Sequence, residues 1–533
     1  MISPNTGLVR ALRALALVCA ALVVFLGAAS AQTLNRAGRG EPGSLDPHKA
    51  NSQYEQALVL DLFEGLLAFD ANGRPVPGIA DSWAVSPDAR RYVFNLRPGL
   101  VWSDGTPLTP EQVVASFRRL LDPKTAAPAA AQMYVIKNAR AVNTGKMEPS
   151  ALGVTAAAGT VAIELEAPVA YLPSLLAAAF AVVVPPQAFA NPDGWTRPGI
   201  LVGNGAFTLK EWEPQSHITL VKNTHFRDAA NVKLASVVYH PAGDTSAALA
   251  RYRAGDFDMV MEFPSAQTDQ LIREMKTEAK LTPSLLTYYL ALNTRDPKLG
   301  DRRVRRALSL AIDRDTLVGK VVRGGALPAP TFVPPATANY TPPVLDLDAA
   351  PYETRLSEAQ HLLAEAGYGP EKPLRLSYSH SANQELRRIA VVIAAMWKRA
   401  GVEVSLLNTE GRVHFSNLRQ GVFEVAFVAW LADFNDAANF LSVLESSSTA
   451  SNYAKYDSPS YDALLRQAAQ TADLGDRAKV LKDAEAVMLT DQPIIPLYYG
   501  ATRNLVSRRV SGWHGNATDV HLSRYLSLDT VPR

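Results

Sequence analysis

Between Leu374 and Trp430 the spacing of apolar residues changes period repeatedly, and this restricts the fold more than any other stretch of the chain. Leu374, Leu376 and Tyr378 alternate, as a strand with a buried face requires. From about Gln384 to Ala400 the positions Leu386, Ile389, Ile393 and Trp397 recur at helical spacing, and Gly401 supplies the stop. Val402, Val404 and Leu406 alternate again, and Phe423 to Trp430 is a nearly continuous apolar run. Strand, helix, strand and apolar run together predict an α/β fold whose sheet is largely parallel and covered on both faces. In such sheets ligands sit beyond the carboxyl ends of the strands. Trp430-Leu431-Ala432-Asp433 occupies that kind of position.

The chain has 533 residues, 47% of them hydrophobic, which excludes a disordered chain and predicts about three domains at roughly 150 residues each. Thr109-Pro110-Glu111 starts a helix, with a capping hydroxyl and proline at the first helical position. Arg303 to Val318 places Val304, Ala307, Leu308, Ala311 and Ile312 on one face of another. Ser357 is expected to cap a helix that carries Leu362 and Leu363 and stops at Gly367. The longest internal apolar run, Leu175 to Val184, ends at Pro185-Pro186 and reads as a buried strand or helix, too short to cross a bilayer. The proline-rich stretches 328–335 and 342–343 read as surface loops.

Formal charge is +2, from 53 Lys+Arg against 51 Asp+Glu. That excess sits in the first 31 residues. Arg10 and Arg13 precede an apolar run from Ala14 to Gly27 and then Ala29-Ser30-Ala31, the three-part pattern of a cleavable signal peptide. The run of about 14 residues is short for a membrane anchor, which needs about 20. Without it the mature chain is formally neutral and lacks cysteine, because Cys19 lies inside the run. A thiol nucleophile, a zinc–thiolate site and an iron–sulfur cluster are thereby excluded.

Signatures of chemistry are missing. There is no phosphate-binding loop, no Gly-x-Ser-x-Gly elbow, no His-Glu-x-x-His and no calcium loop. The nine histidines, at 48, 217, 225, 240, 361, 380, 414, 514 and 521, form no pair at metal-ligand spacing, so no metal or cofactor is expected. Asp256 and Asp258 read as solvated acids at a strand edge. Arg302, Arg303, Arg305, Arg306 and Arg314 read as a solvated helix face and not as a nucleic-acid footprint.

A series of short motifs runs through the mature chain in order. Ser44-Leu45-Asp46-Pro47, Leu62-Phe63-Glu64-Gly65-Leu66 and Ala80-Asp81-Ser82-Trp83 come first. Phe94-Asn95-Leu96-Arg97, Trp102-Ser103-Asp104-Gly105-Thr106-Pro107 and Asn204-Gly205-Ala206-Phe207 follow. Ala291-Leu292-Asn293, Val304-Arg305-Arg306-Ala307-Leu308, residues 362–368 and Pro496-Leu497-Tyr498-Tyr499 complete the series. In this order the chain resembles the oligopeptide/dipeptide-binding extracytoplasmic solute-binding proteins of ABC importers. The resemblance implies two α/β lobes that close on a ligand about a hinge. It places a discontinuous lobe I at 32–63, 190–285 and 500–533, an additional domain at 64–189 and lobe II at 286–499. Crossings between lobes would fall near Leu286–Tyr289 and Tyr498–Ala501.

The same resemblance implies that short peptides are held extended through their main chain, as if adding a strand. Asp433 matches the family's anchor for the peptide amino terminus; on the residues alone it reads more readily as an ordinary loop acid capping a helix. An ammonium buried by closure must be paired, and a carboxylate at the mouth of the sheet suits it. Trp430 would wall the first side-chain pocket or pack in the core, and the backbone of Val428, Ala429 and Trp430 would pair with the ligand. Tyr289 and Asn452 match binding positions of relatives. Arginines that meet the ligand carboxylate in some relatives are replaced by Phe427 and Leu418, and an aromatic platform by Gly411; Arg419 lies beside the altered position. The implied protein is a periplasmic monomer with no enzymatic activity. Its partners are short peptides and the permease subunits of an ABC transporter in the inner membrane, with no nucleic acid. The other readings are a same-fold binder of a sugar oligomer, an opine-like conjugate or a nickel chelate, and a secreted hydrolase.

Overall fold

The computed structural model describes residues 32–345 and 349–529; the expected export segment and Cys19 lie outside the described residues. Ten strands of the principal sheet run in the spatial order 402–409, 374–381, 425–431, 279–292, 494–506, 259–260, 33–38, 236–241, 217–222 and 207–213. Strands 374–381, 402–409 and 425–431 are mutually parallel where they pair. Antiparallel pairing then takes over through 279–292 and 494–506, so the sheet as a whole is mixed and not largely parallel. The local period of 2 specifies each strand but not the direction of a neighbour that arrives from another part of the chain.

Among the described residues four buried apolar clusters fill this framework. One spans residues 34–239 with 506–528 and is shared by a second, four-stranded sheet, 80–85, 91–96, 160–164 and 154–157. A small cluster gathers Ala248, Phe257, Phe263 and Leu505. The other two lie on opposite faces of strands 279–292 and 425–431. Helices Arg302–Leu310, Tyr352–Glu365 and Gln384–Arg399 cover one face, and helices Pro459–Gln470 and Leu474–Asp491 the other. Strands Ala279–Leu292 and Ile494–Val506 are long enough to run from the small cluster into the covered half, so both lobes share one continuous pair of strands.

The motifs have physical reasons. Asn204 accepts from the backbone N–H of Glu64 (2.9 Å) and donates to its carbonyl (3.0 Å). Gly205 lies so close that an added Cβ would come within 2.5 Å of the Leu62 carbonyl carbon and the Phe63 nitrogen. The buried Glu64 carboxylate receives Arg227 (2.6 and 2.9 Å) and Arg524 (2.5 Å). Asp46 takes both terminal nitrogens of Arg119, at 3.0 and 2.6 Å, tying the amino-terminal loop to helix Pro110–Leu120.

Several expectations are corrected. Asp258 is fully buried, receives the Asn35 N–H at 2.9 Å and faces Arg509, so it is no solvated edge acid. Arg305 and Arg314 are also buried: Arg305 donates to the carbonyls of Asp491 and Leu299, and Arg314 to that of Pro496. The expected helix from Arg303 to Val318 is broken after Leu310, where Asp313 caps a fresh turn by accepting from Thr316. Ser357 is interior to a helix that starts at Tyr352, and its hydroxyl donates to the Glu353 carbonyl. The 328–335 stretch is no surface loop. Ala329, Phe332 and Val333 are fully buried, and Glu485 accepts both N–H groups of Phe332 and Val333 at 2.8 Å.

Candidate functional site

Strand Val425–Leu431 is the element that positions the site. One edge pairs antiparallel with Leu292–Leu286 over its whole length, whereas pairing on the other edge stops at Ala426, opposite Ser379. Beyond that point strand 374–381 stays with 402–409 and the two diverge. The N–H and C=O groups of Val428 to Leu431 on that edge are left without a strand partner among the described residues. Strand alternation places Phe427, Ala429 and Leu431 on one face and Val428 and Trp430 on the other. Phe427 and Val428 are buried, Trp430 is half-buried, and Ala429 and Leu431 are exposed.

The end of this edge, at Leu431, borders a cleft of about 550 Å³, whereas Val428, Ala429 and Trp430 are not among the residues that line it. Asp433, exposed and two residues past the strand, lines it together with Leu431 and Phe434. The floor is the irregular middle of strand Ala279–Leu292. Pairing with 494–506 slips between Pro283 and Thr287, and Ser284, Leu285 and Leu286 face the cleft opposite Gly500 and Ala501. A Cβ at Gly500 would lie 2.9 Å from Leu286 Cδ2, so glycine is what lets the two strands approach there. Residues 47–56 and 128–132 supply the facing wall.

Asp433 and Phe434 also line a neighbouring pocket of about 350 Å³, with Trp430, Tyr134 and Tyr171. Trp430 donates its indole N–H to Asn439 Oδ1 (2.9 Å), which fixes the ring in that pocket's wall. Phe434 stacks on Tyr171 at 4.1 Å and 11°, a contact that bridges the 425–436 segment to the four-stranded-sheet side of the molecule. Burial, with Asp436 beside it, pushes the Tyr171 hydroxyl up to about 12, so it is a neutral donor at any physiological pH.

Other residues matched by resemblance lie elsewhere. Tyr289 is buried edge-on against Phe332 in the core. Asn452 is buried and spans its own loop, donating to the Tyr456 carbonyl (2.8 Å) and accepting the Tyr456 N–H (3.0 Å). Arg419 is exposed at the end of helix Gly411–Gln420, and its carbonyl accepts from Lys455. None of these three lines the 550 Å³ cleft. Phe427 packs beside Tyr288, and Leu418 is fully buried.

The cleft carries charges that sequence reasoning missed. Glu262 accepts from Arg39 (3.1 Å) and from Arg503 (2.5 Å). Arg323 and Glu385 line the same cavity. The Tyr288 hydroxyl is raised by burial and then by Glu385, with Arg503, Glu262 and Arg39 also acting on it, so four of these charges converge on one ring. The four segments that bring them together each lie more than 100 residues from the next, and no local signal marks the set.

Residues 74–452 match the family described as bacterial extracellular solute-binding proteins, family 5 Middle. The chain is 37% identical to the Escherichia coli periplasmic murein peptide-binding protein MppA over 505 residues, covering 94% of each protein. It is 36% identical to the Escherichia coli periplasmic oligopeptide-binding protein OppA, covering 91% of this chain and 90% of that one. The solved unliganded open form of MppA superposes with a TM-score of 0.87 over 94% of this chain and 98% of that chain. The expected two-lobed α/β architecture is therefore the one this chain adopts, and the chain belongs to the family 5 extracellular solute-binding proteins.

Proposed function

We propose that this protein is the periplasmic peptide-binding component of an ABC importer. It binds short peptides in extended form and presents them to a membrane permease. One observation carries the reading: a strand edge free from Val428 to Leu431, ending at an exposed carboxylate inside an interlobe cleft. A peptide laid along that edge replaces water on the strand's orphan N–H and C=O groups with main-chain hydrogen bonds, whatever its side chains. Asp433 then meets the amino-terminal ammonium in a charge-assisted bond that fixes the register. Trp430, Phe434 and Tyr171 surround space for the first side chain.

Closure follows from the same geometry. Lobe I (32–63, 190–285 and 500–533) carries the additional domain 64–189, whose core is continuous with it. Lobe II (286–499) rocks about the slipped segment Ser284–Leu286 and its partner Gly500, where ladder pairing is already interrupted. Binding energy is spent on closing the cleft and on no chemical step, and the permease reads the closed form. The two named relatives are periplasmic, which supports export of this chain through its amino-terminal segment. Isothermal titration with di- to pentapeptides bearing a free amine tests the reading, and mass spectrometry of the recovered ligand separates it from hydrolysis. Saturable heat with the peptide returned intact is expected. Absence of heat from every such peptide, or cleaved product, refutes it.

A further inference from the structure

A peptide that enters the cleft as proposed above brings a carboxylate as well as an ammonium. Closure must pair both, because a charge taken out of water without a partner opposes binding. Asp433 serves the ammonium. The cations among the cleft-lining residues are Arg39, Arg323 and Arg503. They are gathered in one place. Arg39 Nε and an Arg503 terminal nitrogen share Glu262, at 3.1 and 2.5 Å. Gly324, next to Arg323, is close enough to Arg503 that a Cβ there would lie 3.7 Å from its Nη1. Two guanidinium groups on one carboxylate leave one positive charge uncompensated. Arg323 adds another and Glu385 removes one, so the cluster stays net positive.

These arginines have capacity to spare. A guanidinium carries five N–H donors in a fixed fork. Arg503 commits Nε to the Phe263 carbonyl (3.3 Å) and one terminal nitrogen to Glu262. Arg323 is exposed, and its backbone is held at φ 56° and ψ −146°, a region almost reserved for glycine. Gly324 and Gly325 follow with φ of 66° and 84°. That turn sets a lobe II arginine against lobe I, since a Cβ at Gly324 would lie 3.8 Å from Ser265 Cβ.

We infer that Arg39, Arg323 and Arg503 form the seat for a carboxylate of the bound peptide, terminal or on a side chain. The inference rests on the peptide-binding reading, and the test separates the two. Titrate the wild-type protein and the double variant Arg39→Gln/Arg323→Gln with tetraalanine, tetraalanine amide, and the amide of Ala-Ala-Glu-Ala. Arg503 is left in place because it also holds the Phe263 carbonyl, and melting curves check that the variant folds. Wild type is expected to bind the acid at least tenfold more tightly than the amide, and the double variant to lose that preference. If the Glu-containing amide recovers the tighter binding, the seat also takes a side-chain carboxylate; if it does not, the seat takes the terminus alone. Equal affinity for acid and both amides in the folded wild type overturns the inference and leaves peptide binding intact. A preference for the acid that survives unchanged in the folded double variant overturns it as well. Binding of none of the three removes the peptide reading and this inference with it.

Discussion

Replacing Asp433 with Asn keeps the shape of the side chain and deletes its charge. Asp433 is exposed in the open cleft, and no hydrogen bond or ion pair ties its carboxylate among the described residues, so folding should be indifferent to the change, within about 0.5 kcal/mol. The cost falls on the closed complex. A carboxylate and an ammonium about 4 Å apart attract by ~1 kcal/mol in water but by ~4 kcal/mol at an effective dielectric of about 20. Closure moves the pair from the first regime toward the second. Leaving the ligand's ammonium there without its partner costs about 2–5 kcal/mol. The Kd for a free-amine peptide should then rise roughly 30-fold to several thousand-fold, at 1.4 kcal/mol per decade. Isothermal titration with tetraalanine measures it, and N-acetyl-tetraalanine closes the cycle, because it removes the charge from the other side. Wild type with the acetylated peptide should bind as poorly as the variant with the free amine, and the two losses should not add. An unchanged Kd in the variant, or full additivity of the losses, refutes the anchor.

Other perturbations probe the frame. Asp46→Asn leaves Arg119 buried without its carboxylate and beside His48, whose ring burial and Arg119 hold down at about 3; urea unfolding should show a loss of about 3–5 kcal/mol. Gly205→Ala forces a Cβ to within 2.5 Å of backbone and should cost about 2 kcal/mol or more. Gly411→Ala, with nothing within 4 Å and at the first position of a helix, should be neutral or gain up to about 1 kcal/mol in the same urea assay. Glu485 is pushed up to about 7 by burial, outweighing the lowering by Tyr340 and the Val333 and Phe332 N–H groups. The folded state then holds its proton more tightly than the unfolded chain. This contribution to stability is complete below about pH 4.5 and declines as pH rises toward 7, by about 3 kcal/mol in all. Melting temperatures across that window should fall with rising pH, and Glu485→Gln should flatten the slope.

What could be read in advance was local in its physics. The strand–helix–strand unit from Leu374 to Leu431, the stops at Gly367 and Gly401 and the start at Thr109 follow from periods and caps that neighbouring residues set alone. Asp433 follows strand Val425–Leu431 at the end where such sheets take ligands, and the family resemblance gives it the part of an anchor. The failures share a cause. Asp258, Arg305 and Arg314 looked solvated because a charge is normally exposed. Their burial depends on Asn35, Asp491 and Pro496, partners 223, 186 and 182 residues away, which no local pattern announces. Tyr289 and Val428 are register partners in adjacent strands, and only the packing of Phe332 places the tyrosine in the core and not in the cleft.

The sequence by itself determined the α/β class, the strands and helices around the site and the carboxylate that follows strand Val425–Leu431. Periodicity, caps and charge counts are properties of short segments, so they survive without coordinates. Tertiary structure alone decided that strand pairing on the second edge stops at Ala426 among the described residues, that Ser284–Leu286 slips out of register beneath the cleft, and that Arg39, Glu262, Arg323 and Arg503 line one cavity. Each of these depends on segments brought together across hundreds of residues, where an edge left unpaired or a charge left unbalanced exists only once every other partner has taken its place.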